Sequence, residues 1–186
     1  LEGLQPPPEA VAGLSISEIL TIAYLSVATF LTLLTLLAVF RVRYWTYKGI
    51  PVTDKRVIDA FEEAKRNLSM KAPCFLLEGD TIDAPLSIGI FNYRILLPRQ
   101  AADRFNGDEL RDLAHHELTH IRQMDPFVFA YTAILRSVLF PNPLIWLATN
   151  QIRLLSEFCA DETAIRQTGK VKPYANLLVR IAEELP

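Results

Sequence analysis

All three histidines of the chain lie within six consecutive residues, 115–120. Two of them, His116 and His120, frame the pattern H-E-x-x-H, with Glu117 between them. Residues four apart lie close together on one side of a helix, so both imidazoles can reach one metal ion. Glu117 lies beside them, where it can take a proton from a water bound to that ion. The pattern indicates a catalytic zinc site that hydrolyses peptides, rather than a structural or incidental pair.

His115 is the histidine that we do not expect to bind this ion. Each helical residue turns by about 100°, so its ring points away from His116 and further still from His120. We expect His115 to face solvent or a neighbouring helix.

A catalytic zinc ion needs three protein ligands and one open position. No histidine remains, so the third ligand must be a carboxylate or a cysteine. Glu157 is the best candidate, because Asp161 follows four residues later and can accept the free ring N–H of a ligand histidine. The alternative is a solvated acidic helix face, since Glu162 is adjacent. Cys159 should point elsewhere on that helix and behave as a small buried hydrophobe.

Peptide hydrolysis also needs an electrophilic group for the oxyanion of the tetrahedral intermediate. With no spare histidine, the catalytic candidates are Tyr174 and Arg166. Either could equally be an ordinary surface residue.

Helices should position these side chains. The motif helix is expected to begin near Asp108, which can cap its first turn, and to end about Met124, before Asp125-Pro126. Further helices are predicted over 54–70, which is amphipathic, over 144–167, ending at a glycine, and over 174–185. Short β-prone runs at 73–77, 88–91 and 94–97 predict a small sheet with hairpin turns.

The N-terminal part of the chain predicts a membrane anchor. After a proline-rich, flexible lead over 1–14, residues 16–40 contain one charge, Glu18. This run exceeds the ~20 residues that a helix needs to cross a bilayer, and no cleavage site follows it. We therefore predict a transmembrane helix over 15–41 rather than a buried helix. Arg41, Arg43 and Lys48 follow it, which predicts that the rest of the chain is cytoplasmic.

A second apolar stretch, 127–149, is interrupted by Pro141-Asn142-Pro143. As a helix its first half would rise about 21 Å, less than the ~30 Å hydrocarbon core. We expect a helical hairpin that dips into the membrane or lies on it, with a buried core hairpin as the alternative.

Together these patterns predict an α+β fold, mainly α, with a zinc metallopeptidase domain over 42–186 after the anchor. The net charge of −2 gives no reason to expect nucleic-acid binding. The two cysteines are far apart, so no disulfide framework is expected.

The motif, followed by E-x-x-x-D at 157–161, resembles the gluzincin arrangement, and its surroundings are similar to membrane metallopeptidases of the BlaR/MecR type. The resemblance is carried by S-I-G-I-F at 87–91 running into R-I-L-L-P at 94–98, by H-E-L-T-H-I-R-Q-M-D at 116–125 and by N-P-L-I-W at 142–146. It covers roughly residues 52–182.

This resemblance implies a gluzincin-like protease domain on the cytoplasmic side of a bacterial inner membrane. It implies Zn²⁺ bound by His116, His120 and Glu157, with Glu117 as the base and Asp161 behind His116. An edge strand, formed by Arg94, Ile95, Leu96 and Leu97, would pair with an extended substrate, unless it is simply a core strand.

The implied function is a regulatory protease that cleaves a cytoplasmic repressor or itself. The alternatives are a membrane-protein quality-control protease and a non-catalytic, zinc-binding membrane scaffold. The intact pair of His116 and Glu117 argues against a scaffold, which needs no general base. We expect the sequence to be part of a longer chain, in which a C-terminal sensor domain would favour the regulatory function.

Overall fold

The computed structural model describes residues 14–80 and 82–184, so the predicted lead over 1–14 lies almost wholly outside the described residues. Helices predominate over strands, as an α+β, mainly α fold requires. The helices are α1 (Ile16–Lys48), α2 (Lys55–Asn67), α3 (Ala101–Arg104), α4 (Gly107–Arg122), α5 (Asp125–Val138), α6 (Pro143–Thr168) and α7 (Val171–Glu184). The strands are β1 (Ile50–Pro51), β2 (Cys74–Gly79), β3 (Leu86–Ile88) and β4 (Tyr93–Pro98).

Helix α1 contains a 29-residue segment, Ile16–Tyr44, that is long and apolar enough to cross a membrane. It begins with a capping box, in which Ser15 and Glu18 satisfy each other's backbone N–H groups. Only 6% of its most apolar window is buried by the rest of the protein, so α1 is not a core helix. The helix also continues past the predicted end at residue 41, to Lys48.

Helices α5 and α6 form a helical hairpin, and α5 packs along α1. The hydroxyl of Tyr24 donates to the carbonyl of Val138 at 2.6 Å, and the hydroxyls of Thr35 and Ser137 lie 3.0 Å apart. Many apolar side chains of the hairpin remain exposed, among them Phe127, Tyr131, Ile134, Leu144 and Leu147. These side chains form an exposed apolar face on the hairpin.

The sheet has the order β1-β2-β4-β3, in which β4 pairs parallel to β2 and antiparallel to β3. The expectation that residues 94–97 form an edge strand is wrong, because β4 is hydrogen-bonded on both sides. Ile95, Leu96 and Leu97 are fully buried, and Arg94 donates from its guanidinium to Thr46 at 3.3 Å. The strand at this edge of the sheet is β3.

The prediction of a strand over 88–91 is also wrong, because β3 ends at Ile88. Gly89 then turns the chain with φ +103°, and a Cβ there would lie 2.2 Å from the carbonyl oxygen of Asn92. Only glycine fits this turn.

Helix α4 packs against α2 across the main core, which contains Phe61, Ala64, Leu113 and Leu118. Its N-cap is Asn106, not Asp108, because the Asn106 side chain accepts two backbone N–H groups of the first turn. A left-handed residue, Met124, follows the end of α4 and reverses the chain into α5.

Candidate metal centre

One face of α4 and one residue of α6 bring three metal-binding side chains together. The Nε2 atoms of His116 and His120 lie 3.1 Å apart. The Glu157 carboxylate approaches both rings, with Oε2 at 3.6 Å from Nε2 of His116 and Oε1 at 3.9 Å from Nε2 of His120. All three donor atoms fall within 4.8 Å of one another.

These separations fit a zinc ion. Zinc in proteins is bound tetrahedrally at about 2.0–2.1 Å from nitrogen and oxygen, which puts neighbouring donor atoms roughly 3.4 Å apart. The observed separations of 3.1, 3.6 and 3.9 Å scatter around that value. Two imidazoles and one carboxylate also leave a fourth position for water or substrate.

Behind His116, two oxygens hold the ring in place. Its Nδ1 lies 3.0 Å from Oδ1 of Asp161 and 2.9 Å from the hydroxyl of Tyr174. The Tyr174 hydroxyl in turn donates to Oδ1 of Asp161 at 2.6 Å. With its N–H on Nδ1, His116 keeps the Nε2 lone pair for a metal.

A carboxylate and a hydroxyl also contact Nδ1 of His120. Its Nδ1 lies 2.8 Å from Oδ2 of Asp125 and 3.2 Å from Oγ of Ser156, and the Ser156 hydroxyl donates to the same Asp125 oxygen at 2.6 Å. Each candidate ligand histidine is thus backed by one carboxylate and one hydroxyl. The sequence pattern did not indicate a role for Asp125 or Ser156. Asp125-Pro126 is typical of the end of a helix, and that was its predicted role.

The surroundings of His116 favour positive charge. Burial alone would lower the pKa of His116, but its contacts with Asp161 and Glu157 raise that pKa to about 10. The hydrogen bond from His116 lowers the pKa of Glu157. Burial would raise the pKa of Asp161, yet His116 and Tyr174 together lower it. Carboxylates that stay ionised beside two imidazoles make a site suited to a cation.

Glu117 lies beside the candidate ligands and is held by the edge strand. It is buried, and its Oε2 accepts a hydrogen bond from the Ser87 hydroxyl at 2.6 Å. The same hydroxyl lies 2.8 Å from the backbone carbonyl of Glu117. Ser87 therefore ties β3 to the motif helix, a contact that no sequence pattern indicated.

The remaining candidates lie elsewhere. His115 is buried against α2, where its Nδ1 donates to the carbonyl of Arg111 and its Nε2 accepts from Asn67. Tyr174 is fully buried behind His116, which is not where a donor to a substrate oxyanion would stand. Arg166 is exposed and paired with a glutamate one turn away. Cys159 is exposed, so the expectation of a buried residue is wrong.

A helix that carries H-E-x-x-H, completed by a glutamate from a later helix and flanked by a short edge strand, is the arrangement of a metal-dependent peptidase. The chain belongs to the BlaR1 peptidase M56 family, which it matches over residues 3–185. Regulatory protein BlaR1 of Bacillus licheniformis is 24% identical to it over 119 residues, or 64% of this chain. The match spans 20% of that protein.

Proposed function

We propose that this chain is the peptidase region of a membrane-anchored zinc metalloendopeptidase with a regulatory role. The observation that carries the proposal is the convergence of His116, His120 and Glu157, with Glu117 beside them. Membership of a peptidase family and likeness to a protein described as regulatory support it. The substrate would be a protein or peptide, such as a cytoplasmic repressor or another copy of the chain.

In this proposal, His116, His120 and Glu157 hold Zn²⁺. A zinc ion bound there lowers the pKa of a coordinated water and withdraws electron density from a peptide carbonyl. The Glu117 carboxylate removes a proton from the attacking water and later delivers it to the leaving amine. Asp161, with Tyr174, keeps the His116 ring in one orientation.

The substrate would bind in extended form along β3. This strand pairs only with β4 among the described residues, so the backbone groups on its other side can pair with a peptide. The bond between Ser87 and Glu117 places that edge beside the general base. Paired there, a peptide bond would be presented to the metal ligands rather than to bulk water.

The active site would face the cytoplasm. Arg41, Arg43 and Lys48 lie at the end of α1 that joins the peptidase domain, and basic residues remain on the cytoplasmic side of bacterial inner membranes. Helix α5 packs along α1, and the exposed apolar side chains of α5 and α6 would be covered by lipid. The hairpin would then dip into the membrane beside the anchor.

The test compares Glu117→Gln with Glu162→Gln, a matched change at an exposed position of α6. Purified proteins are assayed for zinc content and for cleavage of a quenched-fluorescent peptide library. We expect Glu117→Gln to keep its zinc and lose activity by about 10²–10⁴-fold, as for loss of a general base, and Glu162→Gln to match the wild type. Cleavage unaffected by Glu117→Gln would refute the mechanism. A zinc-loaded wild type without any activity would favour a scaffold instead.

A further inference from the structure

A cavity of about 300 Å³ lies where α1 meets the α5–α6 hairpin, away from the metal centre. Helix α1 contributes apolar side chains to it, whereas the hairpin contributes two arginines and an indole. The residues that define it are Leu31, Leu34, Ala38, Arg136, Trp146 and Arg153. We call this cavity the anchor cavity.

The two arginines of the anchor cavity lie without an acidic partner in the described part of the chain. Among the described residues, neither Arg136 nor Arg153 forms an ion pair or donates a hydrogen bond. Each guanidinium lies over an aromatic ring, with Cζ of Arg136 at 4.3 Å from the centroid of Trp146 and Cζ of Arg153 at 5.5 Å from the centroid of Phe129. A cation–π contact of this kind uses none of the N–H donors of the guanidinium.

The other polar groups of the cavity are already satisfied. The hydroxyls of Thr35, Thr132, Ser137 and Thr149 each lie within hydrogen-bond distance of a carbonyl on their own helix. Trp146 donates its indole N–H to the carbonyl of Phe140 at 3.0 Å. The donors of the cavity without an acceptor among the described residues are therefore the two guanidinium groups, Arg136 half-buried and Arg153 exposed, and the matching acceptor is an anion.

We propose that the anchor cavity binds an anionic phospholipid. The lipid phosphate would accept hydrogen bonds from Arg136 and Arg153, since arginine forks match phosphate oxygens. Its acyl chains would lie along exposed apolar side chains of α1 on the bilayer-centre side of the cavity, such as Val27 and Phe30. A free phosphate ion would match the arginines but leave this apolar wall uncovered. The inference uses the membrane placement proposed above, and it does not depend on peptidase activity.

The chain allows a direct assay, because Trp45 and Trp146 are its two tryptophans. In a Trp45→Phe background, Trp146 is the fluorophore that reports on the anchor cavity. Brominated phosphatidylglycerol or brominated phosphatidylcholine is titrated into the protein in detergent micelles, and quenching is followed. We expect half-maximal quenching at an about tenfold lower mole fraction of the anionic lipid, as two arginines near a lipid headgroup would provide.

Arg136→Gln with Arg153→Gln should reduce that preference to about twofold or less, while Lys55→Gln, an exposed change outside the cavity, should leave it unchanged. Far-UV circular dichroism serves as the check that each variant is folded. Equal quenching by both lipids, or a preference that survives the double substitution, would overturn the proposal. Relief of quenching by millimolar inorganic phosphate would overturn it as well, because the site would then select a free ion. If the wild type prefers the anionic lipid but Glu117→Gln leaves cleavage unchanged, the lipid site stands and the proposed peptidase mechanism does not.

Discussion

Replacing Tyr174 by phenylalanine tests whether this residue positions a zinc ligand or acts on the substrate. The substitution keeps the buried ring and removes one hydroxyl, which donates to Asp161 at 2.6 Å and lies 2.9 Å from Nδ1 of His116. The bond to an ionised carboxylate is worth about 1.5–3 kcal/mol. Because the Asp161 side chain is 34% exposed, water can replace part of the lost hydrogen bond. The expected loss is therefore at the lower end of this energy range.

A loss of about 1.4 kcal/mol corresponds to a factor of ten in an equilibrium constant. We therefore expect Tyr174→Phe to weaken zinc binding about tenfold, within the 10–100-fold range for groups behind a metal ligand. Competition with a chromophoric chelator measures this affinity. Once the site is saturated with zinc, kcat should remain within a few-fold of wild type, because the ring of His116 is then held by the metal itself.

Leu177→Ala is the matched control, since Leu177 is equally buried on α7. It should destabilise the fold by about 2–5 kcal/mol through the cavity it leaves, without changing zinc affinity in the folded protein. A Tyr174→Phe protein that binds zinc like the wild type but has lost its kcat would refute this reasoning. Tyr174 would then have the direct role on the oxyanion that the sequence suggested.

Three further outcomes are expected. Asp125→Asn, which weakens the hydrogen bond to His120, should lower zinc affinity roughly 10–100-fold in the same chelator competition. A maleimide should label the exposed Cys159 of the folded protein but should label Cys74 only after denaturation, because burial raises the pKa of Cys74 to about 12. Mass spectrometry after digestion distinguishes the two cysteines. Burial also raises the pKa of Asp112, one of whose carboxylate oxygens is buried without a hydrogen-bond partner. Its charge therefore destabilises the fold as pH rises above the ordinary pKa of 3.8. Asp112→Asn should raise the Tm by about 3 °C at pH 7 and by progressively less towards pH 4. An equal gain in Tm at both pH values would contradict this.

Local patterns predicted the helices well, because capping and amphipathic periodicity act over neighbouring residues. The Gly169 end of α6 is an example: its left-handed φ of 70° is what a helix-terminating glycine provides. Pro173 shows the limit, since α7 begins at Val171 and accommodates the proline in its first turn, where the missing N–H is not needed.

The order of the strands could not be predicted in the same way, because β2 pairs with β4 although β3 lies between them in the sequence. One signal was nevertheless present. Ile95, Leu96 and Leu97 form a continuous apolar run without alternation, which is typical of a strand covered on both faces and not of an exposed edge.

The surroundings of the metal centre were only partly predictable. Glu157 and Asp161 could be paired because they are four apart on one helix, and the structure brings Glu157 to both histidines. Ser87, Asp125 and Ser156 lie on β3, α5 and α6, and their contacts with the motif helix depend on how these three elements pack around α4.

Helix α6 runs without interruption from the tip of the hairpin at Pro143 through Glu157, and no glycine or internal proline breaks it. These two residues are about 21 Å apart along the helix axis. If the helix moves as a rigid body, a tilt of about 3° around Pro143 displaces Glu157 by about 1 Å. His116 and His120 lie on a different helix, α4. In the proposed membrane placement, a movement of the hairpin would therefore act on the zinc site through Glu157, the candidate ligand on α6.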